Sequence, residues 1–205
     1  MVVALPALLA LFLAAGCTFG GVTPISVAPP PGRPTVLVLG EIEVSNPVWA
    51  SAPLQFRSRA YDWLTKNPSF DKVLTETPAE SIAESITLTG AITELDEGSA
   101  ALRFFVGMGA GQAQAKGEFR ILGPDGTELV RFQARRSYLG GAGIGGGGLL
   151  DMDELIRRLG ESVAEMTVHW SRGEPLDAAG TTPNGAPCAP QRGGPESRQP
   201  QSGCR

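Results

Sequence analysis

The residues of this 205-residue chain best equipped for chemistry are three cysteines, Cys17, Cys188 and Cys204, and a single histidine, His169. A cysteine nucleophile needs an activating base within hydrogen-bond reach. The one imidazole falls near the end of a segment with helical periodicity, where its charge suits the helix dipole. Cys188 and Cys204 match no metal-ligand spacing, and in an oxidising compartment they could pair with each other or with a second chain. Glu41 and Glu43 stand two apart on a strand pattern and so share a face, which without a second acidic cluster reads as a solvated edge. The glycines of "VGMGAGQAQAKG" (106–117) run into a strand pattern, whereas a phosphate loop needs a helix N-terminus behind it. Those of "GGAGIGGGG" (140–148) precede a helix whose first residues, Asp151, Asp153 and Glu154, would repel phosphate. These patterns predict no enzyme, no metal and no cofactor.

Cys17 is different, because of what precedes it. No charged side chain occurs before Arg33, and the apolar run 2–15 is shorter than the roughly 20 residues needed to cross a bilayer. It has the length of a secretory-signal core followed by small residues. Ala14-Ala15-Gly16-Cys17 resembles a bacterial lipobox, in which the cysteine thiol is acylated and the bond before it is cut. This reading predicts a signal peptide over 1–16 and a lipidated Cys17, with two or three acyl chains holding the protein stably to a membrane. The bland alternative is an ordinary signal peptide with Cys17 incidental, or a short buried apolar segment.

Composition sets the organisation of the remainder. A net charge of −4 leaves no basic footprint for nucleic acid, and 42% hydrophobic residues are those of an ordinary globular domain. "TFGGVTPISVAPPPGRP" (18–34) has little to bury and predicts a Pro/Gly tether that could reach about 50 Å if extended. From 173 to 205 the chain is rich in Pro, Gly, Ser and Gln, which predicts a disordered tail. The folded domain is expected over 35–172.

Inside it, "TVLVLGEIEV" (35–44) reads as a strand buried on both faces at its start, and "SAPLQFRSRAYDWLTKN" as a helix. "FDKVLT" (70–75) reads as a short strand. Thr77, Pro78 and Glu80 form a capping-box start for a short helix. Three alternating strands follow at 86–95, 112–122 and 127–138, the last two joined by a turn at Asp125-Gly126. In "LLDMDELIRRLGESVAEMTVHW", Met152, Leu155, Ile156, Leu159, Val163, Met166 and Trp170 make one apolar stripe. The order βαβαβββα predicts an α+β fold. It is a two-layer α/β sandwich, a mainly antiparallel sheet of 4–5 strands with helices on one face.

"ALRFFVGMGAG" (101–111) places Phe104, Phe105, Val106 and Met108 between two strands. They either fold back to cap the sheet or form an exposed patch for self-association, another envelope protein or the lipid surface. The stretch from "LRFFVGMGAG" through "GPDGTELV" to "GGAGIGGGG", with the helix after it, resembles over 35–172 a bacterial lipoprotein family called domain of unknown function 4410. More distantly, "SITLTGAITEL" and "GPDGTELV" are similar to the periplasmic α/β domains of TolB and of the curli secretion lipoprotein, and to the lipoprotein activators of penicillin-binding proteins. The resemblance implies docking to other proteins, often as oligomers, without catalytic residues.

The expected function is therefore that of an outer-membrane lipoprotein facing the periplasm, a non-catalytic interaction or assembly module of the envelope. Thr18 after the cysteine, in place of Asp, is compatible with outer-membrane sorting. The alternative is a periplasmic domain that binds a small ligand or glycan, which would need a pocket with aromatics and convergent polar groups.

Overall fold

The computed structural model describes residues 17–67, 69–78, 82–99, 112–139, 152–174 and 176. They form six strands and two α-helices: β1 (Cys17–Val27), β2 (Val36–Val44), α1 (Ala52–Lys66), β3 (Lys72–Leu74), β4 (Ser85–Asp96), β5 (Ala113–Leu122), β6 (Glu128–Leu139) and α2 (Met152–Ser171). The strands make one sheet in the order β1-β6-β5-β4-β2-β3. The α+β class stands, with six strands where four or five are expected. The pairs β1·β6, β6·β5 and β5·β4 are antiparallel, while β4·β2 and β2·β3 are parallel.

The extra strand is the main correction. Residues 17–27 are not tether but β1, which pairs with β6 from Cys17↔Leu139 to Val27↔Val130, with one irregularity between Pro24 and Ser26. Val22 of this strand enters the core, while Thr23, Ile25, Ser26 and Val27 are exposed. The ladder to β6 supplies its partners for main-chain N–H and C=O groups, which are costly to leave unpaired when buried. Just past its end, Trp170 Nε1 donates to the Ala28 carbonyl at 2.8 Å and ties it to α2.

The antiparallel part follows the alternation read from the sequence. Ala113, Ala115, Phe119 and Ile121 of β5 and Val130, Phe132 and Ala134 of β6 point into the core, while Lys116, Glu118, Gln133 and Arg135 lie on the wet face. Gly126 closes the β5–β6 turn at φ +83, and Asp125 accepts from both the amide and the hydroxyl of Thr127. β2 is buried on both faces at its start, at Leu37, Val38 and Leu39, and its edges are paired with β4 and β3. The helix expected after Thr77 falls partly on residues 79–81, outside the described residues, and 83–84 form a turn.

Both helices cover the same face. Every residue of the predicted α2 stripe is buried. α2 ends where Gly173 takes φ +68 and donates to the Trp170 carbonyl while Glu174 donates to that of His169, the paired bonds of a glycine C-cap. α1 contributes Ala52, Phe56, Ala60 and Leu64. Phe56 stacks on Phe119 at 5.0 Å between ring centroids, and Phe119 meets Phe132 at 5.9 Å, so one aromatic row links helix α1 to the two central antiparallel strands. The Phe119 ring has room because Gly117 and Gly90 lie beneath it; a Cβ on Gly117 would stand 2.5 Å from its Cζ.

Candidate functional site

Cys17 is the first residue of β1, at the edge of the sheet, opposite Leu139. No charged side chain occurs along this eleven-residue strand. Its outer margin is open, with Ile25 and Val27 each about half exposed. Edge strands usually carry charge, proline or a bulge to deter pairing with another chain. This one has Pro24 and the irregularity after it, which blunt its second half; among the described residues no strand pairs with the outer side of Cys17–Thr23.

Behind that edge β6 is rich in arginine. Arg131 on the wet face is held by Glu128 at 2.8 Å and Glu118 at 3.5 Å, and these carboxylates raise its pKa further. Lys116 pairs with Glu94 at 2.7 Å on the same face. Pairs this exposed add little stability.

Arg136 points the other way, under α2, and is buried. Its Nε donates to Ser162 Oγ at 2.6 Å, and Ser162 Oγ in turn donates to the Arg158 carbonyl at 2.9 Å. Burial works against its charge, with Glu165 and Glu161 acting in the opposite sense. Gly20, its partner in the ladder, makes this possible: a Cβ there would meet Arg136 Cδ at 2.5 Å and the Arg135 carbonyl oxygen at 2.2 Å. The Arg136–Ser162 link thus clamps α2 to the sheet beside β1.

Burial also pushes the Glu165 carboxyl above the ordinary glutamate range, against the pull of His169 and Arg136. The folded state therefore holds this proton more tightly than the unfolded chain does. The stability so contributed is complete below the unfolded pKa and is lost as pH rises through the folded one. Glu165→Gln is expected to be more stable than the wild type at neutral pH, with the difference vanishing below about pH 4. Urea melts at the two pH values check this; a variant less stable at pH 7 would mean that the attraction to Arg136 outweighs burial.

The remaining sequence candidates are scattered. His169 is half-exposed near the end of α2 and pairs with the Glu174 carboxylate. Glu41 and Glu43 are both exposed on β2, far in sheet order from Cys17. Phe104, Phe105, Val106 and Met108 lie outside the described residues, as do Cys188 and Cys204. Among the described residues no three His, Cys, Asp or Glu side chains are grouped to hold a metal, and no helix is long and apolar enough to cross a membrane. A cleft of about 390 Å³ at the far end of α2 is lined by Arg33, Arg172, Ser69 and Ser171, with Arg172 donating to Ser69 Oγ at 2.6 Å. Sequence reasoning missed the β1 edge, the Arg136 clamp and this cleft. Only the absence of charge before Arg33 hinted at the first.

Residues 55–142, from the first turn of α1 to just past β6, match the family described as "Domain of unknown function (DUF4410)". No curated protein matches the chain. Among solved structures, the chain is similar to a PelC dodecamer from Paraburkholderia phytofirmans, at 14% identity and a TM-score of 0.48, over 77% of this chain and 99% of that one. It is also similar to a minor lipoprotein from Acinetobacter baumannii, at 13% identity and a TM-score of 0.37, over 68% and 94% of the two chains. β1, β2 and α2 lie outside the matched stretch, although they belong to the sheet and the helical layer here.

Proposed function

We propose that this protein is a lipoprotein of the bacterial cell envelope, acylated at Cys17, held at the outer membrane and facing the periplasm. There its DUF4410 domain acts as a non-catalytic interaction or assembly module. The observation that carries this reading is the β1 edge: an open, uncharged strand that begins at the lipobox cysteine itself. Such an edge offers main-chain donors and acceptors to a strand of another envelope protein or of a second copy. The wet face, by contrast, carries charged side chains, among them the Lys116–Glu94 and Arg131–Glu128 pairs, and no part of this reading involves nucleic acid.

Intact mass of the membrane-extracted protein, with a Cys17→Ser control, tests the anchor. The wild type is expected to begin at Cys17 with added acyl mass, and the control to lose both the cut and the acyl groups. A mature chain that starts elsewhere without modification removes the anchor from the proposal. Sedimentation of the extracted protein then separates self-association from docking to a different protein.

A second reading, binding of a small ligand, rests on the Arg33/Arg172 cleft. Among the described residues no aromatic side chain lines it, so it suits an anion that can accept from two guanidinium groups better than a glycan. Saturable calorimetric binding of inorganic phosphate or a dicarboxylate would move this reading ahead.

A further inference from the structure

We propose that the sheet end where Cys17 sits is the face this domain presents to the lipid surface, and that it is held there directly, with no tether. The inference rests on acylation of Cys17 as proposed above, and goes further by fixing the orientation of the domain.

Two observations carry it. First, no slack chain lies between the acyl-bearing residue and the fold. Cys17 is already paired with Leu139, and the register runs without interruption to Pro24↔Phe132. Residues 18–27 of a Pro/Gly sequence that over 18–34 could have spanned about 50 Å are instead part of the ladder strand. The acyl chains are therefore attached to the sheet itself.

Second, the topology says what else lies at that end. Ala113, the start of β5, pairs with Tyr138 next to Leu139, and Asp96, the end of β4, pairs with Gln114. α2 runs the same way as β1. Its middle touches Arg136 through Ser162, and Trp170 near its C-terminus reaches Ala28 beyond the far end of β1, so its first turn, at Met152, lies towards the Cys17 end. The chain thus leaves this end at Ser99 and Leu139 and rejoins the described fold at Gln112 and Met152. The Asp125-Gly126 turn and the Arg33/Arg172 cleft lie at the opposite end.

The physical consequence is a standing geometry. From Asp96↔Gln114 to Thr87↔Leu122 the β4–β5 ladder covers nine residue steps, which at ~3.3 Å per residue separates the two ends by about 30 Å. Asp96 and Glu97 are exposed at the lipid-facing rim. Taking a carboxylate out of water is costly, so they hold the rim in the headgroup layer and keep it from sinking into hydrocarbon. The cleft end then points into the aqueous compartment.

The test uses the full acylated chain in vesicles of phosphatidylethanolamine and phosphatidylglycerol, with energy-transfer acceptors on the headgroups. Donors are placed at Glu97→Cys or at Thr127→Cys, both exposed positions at opposite ends, in a Cys188→Ser/Cys204→Ser background. The donor at position 97 is expected within about 10 Å of the headgroup plane, and the one at 127 about 30 Å farther away. Inserting 12 Gly/Ser residues after Cys17, a coil of roughly 20 Å reach, should abolish that difference while leaving the fold intact. Equal distances for the two donors without the insertion, or a reversed order, overturn the proposed orientation. Intact mass of the same samples keeps the failures apart. Absence of acyl mass overturns the anchor itself, whereas acylated protein with equal distances overturns only the orientation.

Discussion

Phe119→Ala is expected to lower the stability of the domain by about 3–5 kcal/mol, the usual cost of emptying a fully buried phenylalanine site. Phe119 has no exposed surface, stacks on Phe56 of α1 and touches Phe132 of β6, so its removal opens a void where the helical layer meets the sheet. The void cannot close easily, because Gly90 and Gly117 beneath the ring bring no side chains that could move into it. Since small domains have only about 5–15 kcal/mol in all, the variant should melt far below the wild type. The same geometry predicts coupling. Gly117→Ala places a Cβ 2.5 Å from Phe119 Cζ and 2.8 Å from the Ala91 carbonyl oxygen. Its cost should shrink, without vanishing, in the Phe119→Ala background, where the ring contact is gone and the carbonyl contact remains. Urea denaturation of the two single variants and the double variant measures this; strict additivity would contradict the packing described here.

Gly160 should be the most intolerant position on α2. A Cβ there would stand 2.5 Å from the Phe56 carbonyl oxygen and 3.2 Å from its carbonyl carbon, both main-chain atoms of α1. Glycine to alanine within a helix ordinarily gains up to about 1 kcal/mol. Overpacking a close contact costs about 1–3 kcal/mol, and a helix backbone cannot step aside as a side chain can. Gly160→Ala is therefore expected to destabilise despite its better helix propensity, by up to about 2 kcal/mol when the two effects are combined. Gly160→Leu is expected to drive the helices apart and abolish cooperative unfolding. A rise in the urea midpoint of Gly160→Ala would mean that α1 and α2 do not cross at this residue.

Both effects are invisible in the chain alone, and the reason separates what could be read from what could not. The β5–β6 hairpin and the α2 stripe were legible because each element buries a single face. Burial of one face imposes period 2 on Ala113–Ile121 and period 3.6 on Met152–Trp170. The buried start of β2 was legible for the same reason, since a strand covered on both faces becomes continuously apolar.

β1 was not legible. Val22 reaches the core but Thr23, Ile25, Ser26 and Val27 are exposed, so no hydrophobic period marks its second half. What makes it a strand is a ladder to β6, more than a hundred residues away in sequence, and main-chain pairing leaves no trace in side-chain type. Its glycines, threonines and proline therefore read as tether. Gly20, Gly90, Gly117 and Gly160 were opaque likewise. Each is required by what approaches it, a side chain or carbonyl from another element or, at Gly117, partly from its own strand.

By itself, then, the amino-acid sequence determined the two-layer α/β class and the faces its elements bury, because these depend on local pattern. The tertiary structure alone decided that Cys17 opens an edge strand instead of a leash, because that outcome depends on which distant main-chain groups find each other.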